Sequence, residues 1–264
     1  MQLSAPADSS DLDFTEEEIQ RYSRHILLPE MGGAGQAALR RSRVLIIGAG
    51  GLGSPVLLYL AAAGVGTIGL VDDDHVDLSN LQRQIAHTTG RLGQDKTESA
   101  ATAARAINPL VMIEAHRLRL GEAAARDLIP RYDIVCDGSD NFETRYLVAD
   151  ICVAARRTLI SAAVLRFEGQ LSVFKPHAHA EGPCYRCLYP AAPPPGMTPS
   201  CAEAGVLGAV TGVMGTLQAT ETIKEITGIG ESLSGRLLLW DALATRFRMI
   251  RVPRDPNCPV CSGI

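Results

Sequence analysis

Positive charge is in short supply in this chain. Across 264 residues, 25 Lys and Arg stand against 29 Asp and Glu, for a formal net charge of −4. Nucleic acid and anionic membranes attract basic surfaces, so neither is an expected partner. Aromatic residues are few, at 5%, and no basic run carries them interleaved, as a base-stacking surface requires. Long apolar runs are also missing. The stretch from Pro55 to Val65 is too short to span a bilayer. The N-terminus, Met1 to Asp13, is polar and acidic and lacks the apolar segment of a secretory signal. Seven cysteines are an odd number for a disulfide framework. They read better as metal ligands or catalytic thiols in a reducing compartment, so a cytoplasmic location is expected.

What is present is an ordinary globular composition, 46% hydrophobic and 20% charged, with ample core for one large α/β domain. Residues 1–13 read as a flexible tail and 14–264 as a single domain. Val44 to Gly53 reads as a buried strand, a glycine turn and a helix start. Gly48, Gly50 and Gly53 have the GxGxxG spacing, and Gly51 lies between them. Such glycines permit a tight turn, let backbone approach a phosphate and let helix pack on strand. Free N–H groups at the helix start then face an anion. The motif alone points to a nucleotide and leaves the reaction open.

Upstream, Thr15-Glu16-Glu17-Glu18 is a capping box that predicts a helix from about Glu16. It carries Arg21 and Arg24, which on sequence physics alone form a solvated face. A second helix is expected from about Gly35 to Ser42. Downstream, Thr67 to Val71 is a second strand. It ends in Asp72, 24 residues after Gly48, close to the spacing at which a carboxylate holds a ribose. Asp72, Asp73 and Asp74 could instead solvate a strand end. Leu78 to Gln84 is polar and neither strongly helical nor strand-like.

A helix is expected from about Asp95 to Ile107, with Lys96 in its first turn. A cation is unfavourable there unless an anion is near; Asp95 and Glu98 could also balance it. Val111 to Ala115 and Tyr132 to Asp137 are further strands. The latter opens into Gly138-Ser139-Asp140-Asn141 and a helix of about Glu143 to Arg156. Asp140 then lies at a strand's carboxyl end, where open α/β sheets bind ligands. It could hold Mg²⁺ beside a polyphosphate, or cap the helix. Leu159 to Ser161 reads as a short fifth strand, and Gln170 to Phe174 as an edge or antiparallel strand. Pro176 to Ser200 reads as loop. A glycine-studded helix should run from Glu203 to Thr227, packed close on the sheet, before an antiparallel pair, Arg236 to Trp240 and Arg246 to Val252.

Cys184-x-x-Cys187 and Cys258-x-x-Cys261 are two CxxC knuckles. Four thiolates suit a closed tetrahedral Zn²⁺ site with no open catalytic position. Redox dithiols or unpaired thiols are the alternatives, and His177 and His179 are less favoured substitute ligands. Cys136 and Cys152 fall in core segments. Cys201 stands before a helix, where a thiol pKa is lowered, or is an incidental exposed cysteine.

Arg21-Tyr22-Ser23-Arg24, the glycine motif, Asp72, Ser79-Asn80-Leu81-Gln82-Arg83, Lys96, Asp140-Asn141, both knuckles and Cys201 to Val206 occur together in one chain. As a set they resemble the MoeB/ThiF family, bacterial relatives of the ubiquitin-activating enzymes, from about Phe14 to the end. The resemblance implies a Rossmann-like doubly wound, mostly parallel sheet continued by antiparallel strands, with N-terminal helices and a four-cysteine zinc knuckle. It implies an ATP-dependent adenylyltransferase that acts on the Gly-Gly carboxylate of a small ubiquitin-like sulfur-carrier protein. A molybdopterin-synthase-type carrier is the first expectation.

By the same resemblance, Asp72 and Asp74 would serve the nucleotide, with Asp72 on the ribose. Ser79, Asn80, Leu81, Gln82, Arg83, Lys96 and Asn141 would line the site, and Asn80, Arg83 and Lys96 would contact phosphates. Asp140 would hold Mg²⁺ and be the essential residue. Arg24 would reach the ATP of a partner subunit in a homodimer, as an arginine finger does. Cys201 matches the position where some relatives form a thioester or sulfur linkage, and its role is open. No rhodanese-like segment follows, so a separate persulfide donor is expected. Activation of a thiamine carrier and a tRNA-modifying dehydratase of the same superfamily are alternatives. A different class, an NAD-dependent oxidoreductase, would leave Arg83, Lys96 and Asp140 without a purpose.

Overall fold

The central strand β1 (Arg43–Ile47) is apolar at four successive positions, Val44 to Ile47, and all four are buried. A strand's side chains alternate between faces, so this run requires cover on both. Val44 and Ile46 enter one core, while Leu45 and Ile47 enter the other. A computed structural model of the chain describes residues 13–194 and 204–263. Around β1 it builds α1 (Glu16–Ile26), α2 (Gly32–Arg41), α3 (Gly53–Ala63), β2 (Thr67–Val71), α4 (Lys96–Ile107), β3 (Met112–His116) and α5 (Glu122–Leu128). Then come β4 (Ile134–Asp137), α6 (Phe142–Ala154), β5 (Thr158–Leu165), β6 (Glu168–Phe174), α7 (Tyr185–Leu188), α8 (Gly208–Thr227), β7 (Arg236–Asp241) and β8 (Arg246–Arg251).

The strands form one eight-stranded sheet in the order β3-β2-β1-β4-β5-β6-β7-β8. The first five are parallel. The last three are joined antiparallel. Strand order reverses between β1 and β4, where the chain crosses from one side of β1 to the other. That gap is the point at which open α/β sheets leave a crevice for ligands. Helices α3, α4 and α8 cover one face, and α5 and α6 cover the other.

Local signals explain most boundaries. The Thr15 hydroxyl accepts the Glu18 N–H at 3.2 Å and the Glu18 carboxylate accepts the Thr15 N–H at 2.8 Å, the expected capping box. Helix α2 begins at Gly32, ahead of the expected Gly35, because the Gly32 N–H already bonds to the Leu28 carbonyl.

Two expectations need correction, the length of the fifth strand and the loop from Pro176. The fifth strand, expected as three residues, runs over eight and carries the antiparallel half of the sheet. Of the two readings offered for Gln170 to Phe174, the antiparallel one holds: β6 pairs antiparallel with both β5 and β7. Helix α5, seven residues long, is not among the expected elements. The segment read as loop from Pro176 contains the one-turn helix α7. The close approach that Gly215 gives α8 is to the start of α3 and not to the sheet: a Cβ there would lie 2.6 Å from the Leu52 carbonyl oxygen.

Candidate functional site

The glycine turn closes against the loop after β4. Gly48 has φ +92°, in the left-handed region, and a Cβ there would sit 3.2 Å from the Gly138 carbonyl oxygen. A Cβ on Gly53 would collide with the Gly48 carbonyl, so helix α3 can start this close to β1 only from glycine. The loop backbone is held on one side by Asp72, whose carboxylate accepts the Ala49 N–H at 2.8 Å and the Asp74 N–H at 2.9 Å. The Gly50 and Gly51 N–H groups donate to no acceptor among the described residues. Such a pair of free donors before a helix start suits an anion.

A cavity of about 630 Å³ opens at this crevice. Gly48, Gly50, Gly51, Asp72, Asp73, Asp74, Arg83, Lys96, Asp140 and Asn141 line it. Of the polar segment expected to contribute, only Arg83 reaches the wall. Ser79, Asn80, Leu81 and Gln82 do not line the cavity; Ser79 donates its hydroxyl to Asp77 at 2.6 Å instead. Gly53 also stands back, as a packing glycine. Cys201 lies outside the described residues.

Lys96 is the first residue of α4, and its side chain is only 7% exposed. An ammonium that is buried at a helix N-terminus needs a counter-charge. Asp74, 67% exposed, supplies it at 2.8 Å. The pair leaves a cation on the cavity wall beside the free amides of the glycine loop. Arg83 donates to the Ser79 carbonyl at 3.1 Å across its own turn, which aims a second cation at the same space.

Asp140 is not the cap of α6. Asn141 takes that role, its side-chain oxygen accepting the Thr144 N–H at 2.9 Å. Among the described residues the Asp140 carboxylate meets only a long contact from the Asn141 amide, at 3.5 Å. Hard carboxylate oxygens with this much freedom beside cations and free amides fit a Mg²⁺ bound with polyphosphate.

The support beneath Asp140 was not anticipated from the sequence. Asp137, 1% exposed, ends β4 and pairs with Arg145 of α6 at 3.2 Å. Its carboxylate also accepts the Ser139 N–H at 3.0 Å and the Ser139 hydroxyl at 2.6 Å. Ser161 adds a third donor at 3.2 Å. Removing one partner of such a buried pair costs about 3–5 kcal/mol, so the turn that presents Asp140 is firmly tethered. An acid ending an apolar strand and an arginine inside an apolar helix were the available signals. Gln84, buried on the cavity wall, was likewise missed; its Oε1 has no partner among the described residues.

Arg24 lies elsewhere. It is exposed on α1 and does not line its own chain's cavity.

The two knuckles converge as expected. Sγ separations are 3.8 Å for Cys184 and Cys187, 3.5 Å for Cys184 and Cys258, and 3.5 Å for Cys187 and Cys261. A tetrahedron with Zn–S bonds of about 2.3 Å has edges of about 3.8 Å, so the donor set fits Zn²⁺. His177 and His179 are outside this cluster. Cys136 and Cys152 are buried in the core, and burial pushes the Cys136 thiol up to about 12. Neither is a nucleophile.

The architecture is that of an open α/β protein with a phosphate-type glycine loop at its switch point. The ThiF family model matches residues 22–260. The chain belongs to the ThiF family. It is 50% identical over 250 residues to a sulfur carrier protein adenylyltransferase of Thermus thermophilus, covering 94% of this chain and 92% of that protein. It is 54% identical over 244 residues to a Mycobacterium tuberculosis protein named "Probable adenylyltransferase/sulfurtransferase MoeZ", covering 92% of this chain and 62% of that one. It is also 54% identical to the Bos taurus adenylyltransferase and sulfurtransferase MOCS3, of which it spans 53%. Among solved structures, Escherichia coli MccB with ATP superposes with a TM-score of 0.80 at 24% identity, over 92% of this chain and 74% of that one. That likeness concerns the fold. No helix among the described residues is long and apolar enough to cross a membrane.

Proposed function

We propose that this chain is an ATP-dependent adenylyltransferase whose substrate is the C-terminal Gly-Gly carboxylate of a small ubiquitin-like sulfur carrier of the molybdopterin-synthase type. The observation that carries the reading is the convergence of Arg83, Lys96 and Asp140 on the cavity of the glycine loop. A nicotinamide site has no use for two cations and a free carboxylate at that place. The names of the Thermus and MoeZ relatives point the same way.

In this reading a carrier carboxylate oxygen attacks the α-phosphorus of ATP. The bond from that phosphorus to the bridging oxygen breaks, and pyrophosphate leaves with the electron pair. Catalysis of this kind is mostly positioning and charge stabilisation. The Gly50 and Gly51 amides would cradle the nucleotide, and Asp72 would hold the ribose. Lys96 and Arg83 would face the phosphates, with Lys96 leaving Asp74 as they arrive. Asp140 would hold a Mg²⁺ that neutralises phosphate charge. Zn²⁺ on the four cysteines would tie the C-terminal segment to the α7 knuckle without taking part in the chemistry.

Two partners follow. A second copy of the chain would bring Arg24 in trans; its exposure away from its own cavity, beside exposed Ile19, Leu27 and Leu28, supports this. A persulfide donor would consume the acyl-adenylate: its terminal sulfur attacks the carrier's acyl carbon, the bond from that carbon to the phosphate oxygen breaks, and AMP leaves with the electron pair, giving an acyl disulfide.

The test is ATP–pyrophosphate exchange with purified carriers. Exchange that depends on a carrier's intact Gly-Gly end is expected, strongest with the molybdopterin-synthase type. Exchange with only a thiamine-type carrier would reassign the pathway. Absence of exchange with any carrier, together with NAD binding, would overturn the proposal.

A further inference from the structure

Ala49, between Gly48 and Gly50, is pinned from two sides. Its N–H donates to Asp72, as above. Its carbonyl faces the imidazole of His87, with Nε2 at 2.9 Å. A carbonyl oxygen can only accept, so Nε2 carries the proton. Nδ1 then accepts from the Ser99 hydroxyl, at 2.9 Å. The ring is only 6% exposed. Burial lowers its pKa, and the nearby Lys96 and Arg91 charges act in the same direction, against the bond to the Ala49 carbonyl and the Asp72 charge. The neutral ring with its proton on Nε2 satisfies both contacts at once.

These bonds join three elements that meet at the cavity. Ala49 belongs to the glycine loop. Ser99 lies one turn beyond Lys96 on α4, with its N–H on the Asp95 carbonyl at 2.9 Å. The His87 N–H donates to the Gln84 carbonyl at 3.0 Å, so the histidine closes the turn that carries Arg83 and Gln84. Ala49 thus has both backbone polar groups occupied from behind, which leaves the Gly50 and Gly51 amides turned forward.

We infer that His87 is a positioning residue, a strut that sets the glycine loop against the Arg83 turn and the Lys96 helix for nucleotide binding. The inference rests on the adenylation reading. It adds a residue that touches neither ATP nor the carrier and acts through the Ala49 carbonyl. A loop left without the strut would spend part of its time with the amides misaimed, and ATP would have to reorder it. The carrier's approach involves no contact with His87 and should be insensitive to it.

The experiment measures KM for ATP and for the carrier separately in the exchange assay, for wild type, His87→Leu, His87→Gln and His87→Asn. Glutamine places an amide N–H near the position of Nε2, whereas asparagine reaches only as far as Nδ1. His87→Leu and His87→Asn are expected to raise KM for ATP about tenfold, the size of one lost hydrogen bond. KM for the carrier should stay within about twofold of wild type, and His87→Gln should restore most of the ATP affinity. Partial unfolding would lower kcat without separating the two KM values, so instability cannot imitate this pattern. An unchanged KM for ATP in His87→Leu, or a His87→Gln as impaired as His87→Leu, would overturn the strut while wild-type exchange stands. Wild-type protein with no exchange would overturn the adenylation reading and the strut with it.

Discussion

The Lys96 ammonium lies 2.8 Å from the Asp74 carboxylate, with the lysine buried and the aspartate exposed. The pair is asymmetric: the buried member depends on the charge of the exposed one. Polyphosphate arriving in the cavity offers Lys96 a stronger counter-charge. Lys96→Ala should therefore lower the exchange rate by about 10²-fold, the scale for losing one preorganised charge-stabilising donor. Asp74→Asn should cost much less. Steady-state exchange kinetics check both, and a Lys96→Ala rate close to that of wild type would remove the lysine from the chemistry.

Asp140 stands on a tethered turn but is itself nearly free of contacts. Replacing it should leave the fold undisturbed and abolish the reaction. Asp140→Ala is expected to show wild-type circular dichroism and no detectable exchange. Near-normal exchange would rule out its assignment as the Mg²⁺ ligand.

Arg24 is exposed on α1 and outside its own cavity. If it acts in trans, Arg24→Ala and Asp140→Ala are each inactive as homodimers. Mixing them creates dimers with one intact site, assembled from the aspartate of one protomer and the arginine of its partner. Recovery of exchange on mixing is the expected result. No recovery, with heterodimers shown to form, would place Arg24 elsewhere.

The four-cysteine cluster should hold about one zinc per chain in freshly purified protein. Cys258→Ser should lower that content and loosen the segment after β8, read as faster proteolysis near residue 258. Elemental analysis that finds far less than one zinc in the wild type would contradict the site.

His87, His116 and His177 all have pKa values below the usual 6.5, with burial the leading cause in each. The unfolded chain binds those protons more readily than the folded one. Their contribution to stability is thus complete above about pH 6.5 and is lost as pH falls towards the folded values. The melting temperature should drop as pH falls from about 7.5 to about 5.5, across the range where an unfolded histidine takes up its proton, with zinc content checked at each pH. A melting temperature that stays flat or climbs as pH falls would contradict the lowered histidine pKa values.

Much of this was open to reading along the chain. The GxGxxG spacing, the Thr15 capping box, the acid that ends β2 and the paired knuckles are local patterns whose physics acts within a few residues. Segments of that kind announce their geometry by residue type alone, and they placed the crevice, the glycine loop and the metal cluster. The mostly parallel sheet was implied by the family resemblance; the apolar run Val44 to Ile47 of β1 fits it, since a strand covered on both faces must be apolar throughout.

What only the tertiary structure decided depends on residues far apart in sequence. The sequence left Asp140 open between a ligand and a helix cap; the backbone path assigned the cap to Asn141. It offered a whole segment from Ser79 to Arg83 for the site, and the fold brought only Arg83 to the wall. Residue type hinted at Asp137 and Arg145 one by one, but neither their pairing nor that of His87 with Ala49 and Ser99 is written locally. A buried charge or imidazole is tolerable only where the fold supplies its partners, and those partners are set by how the strands and helices come together.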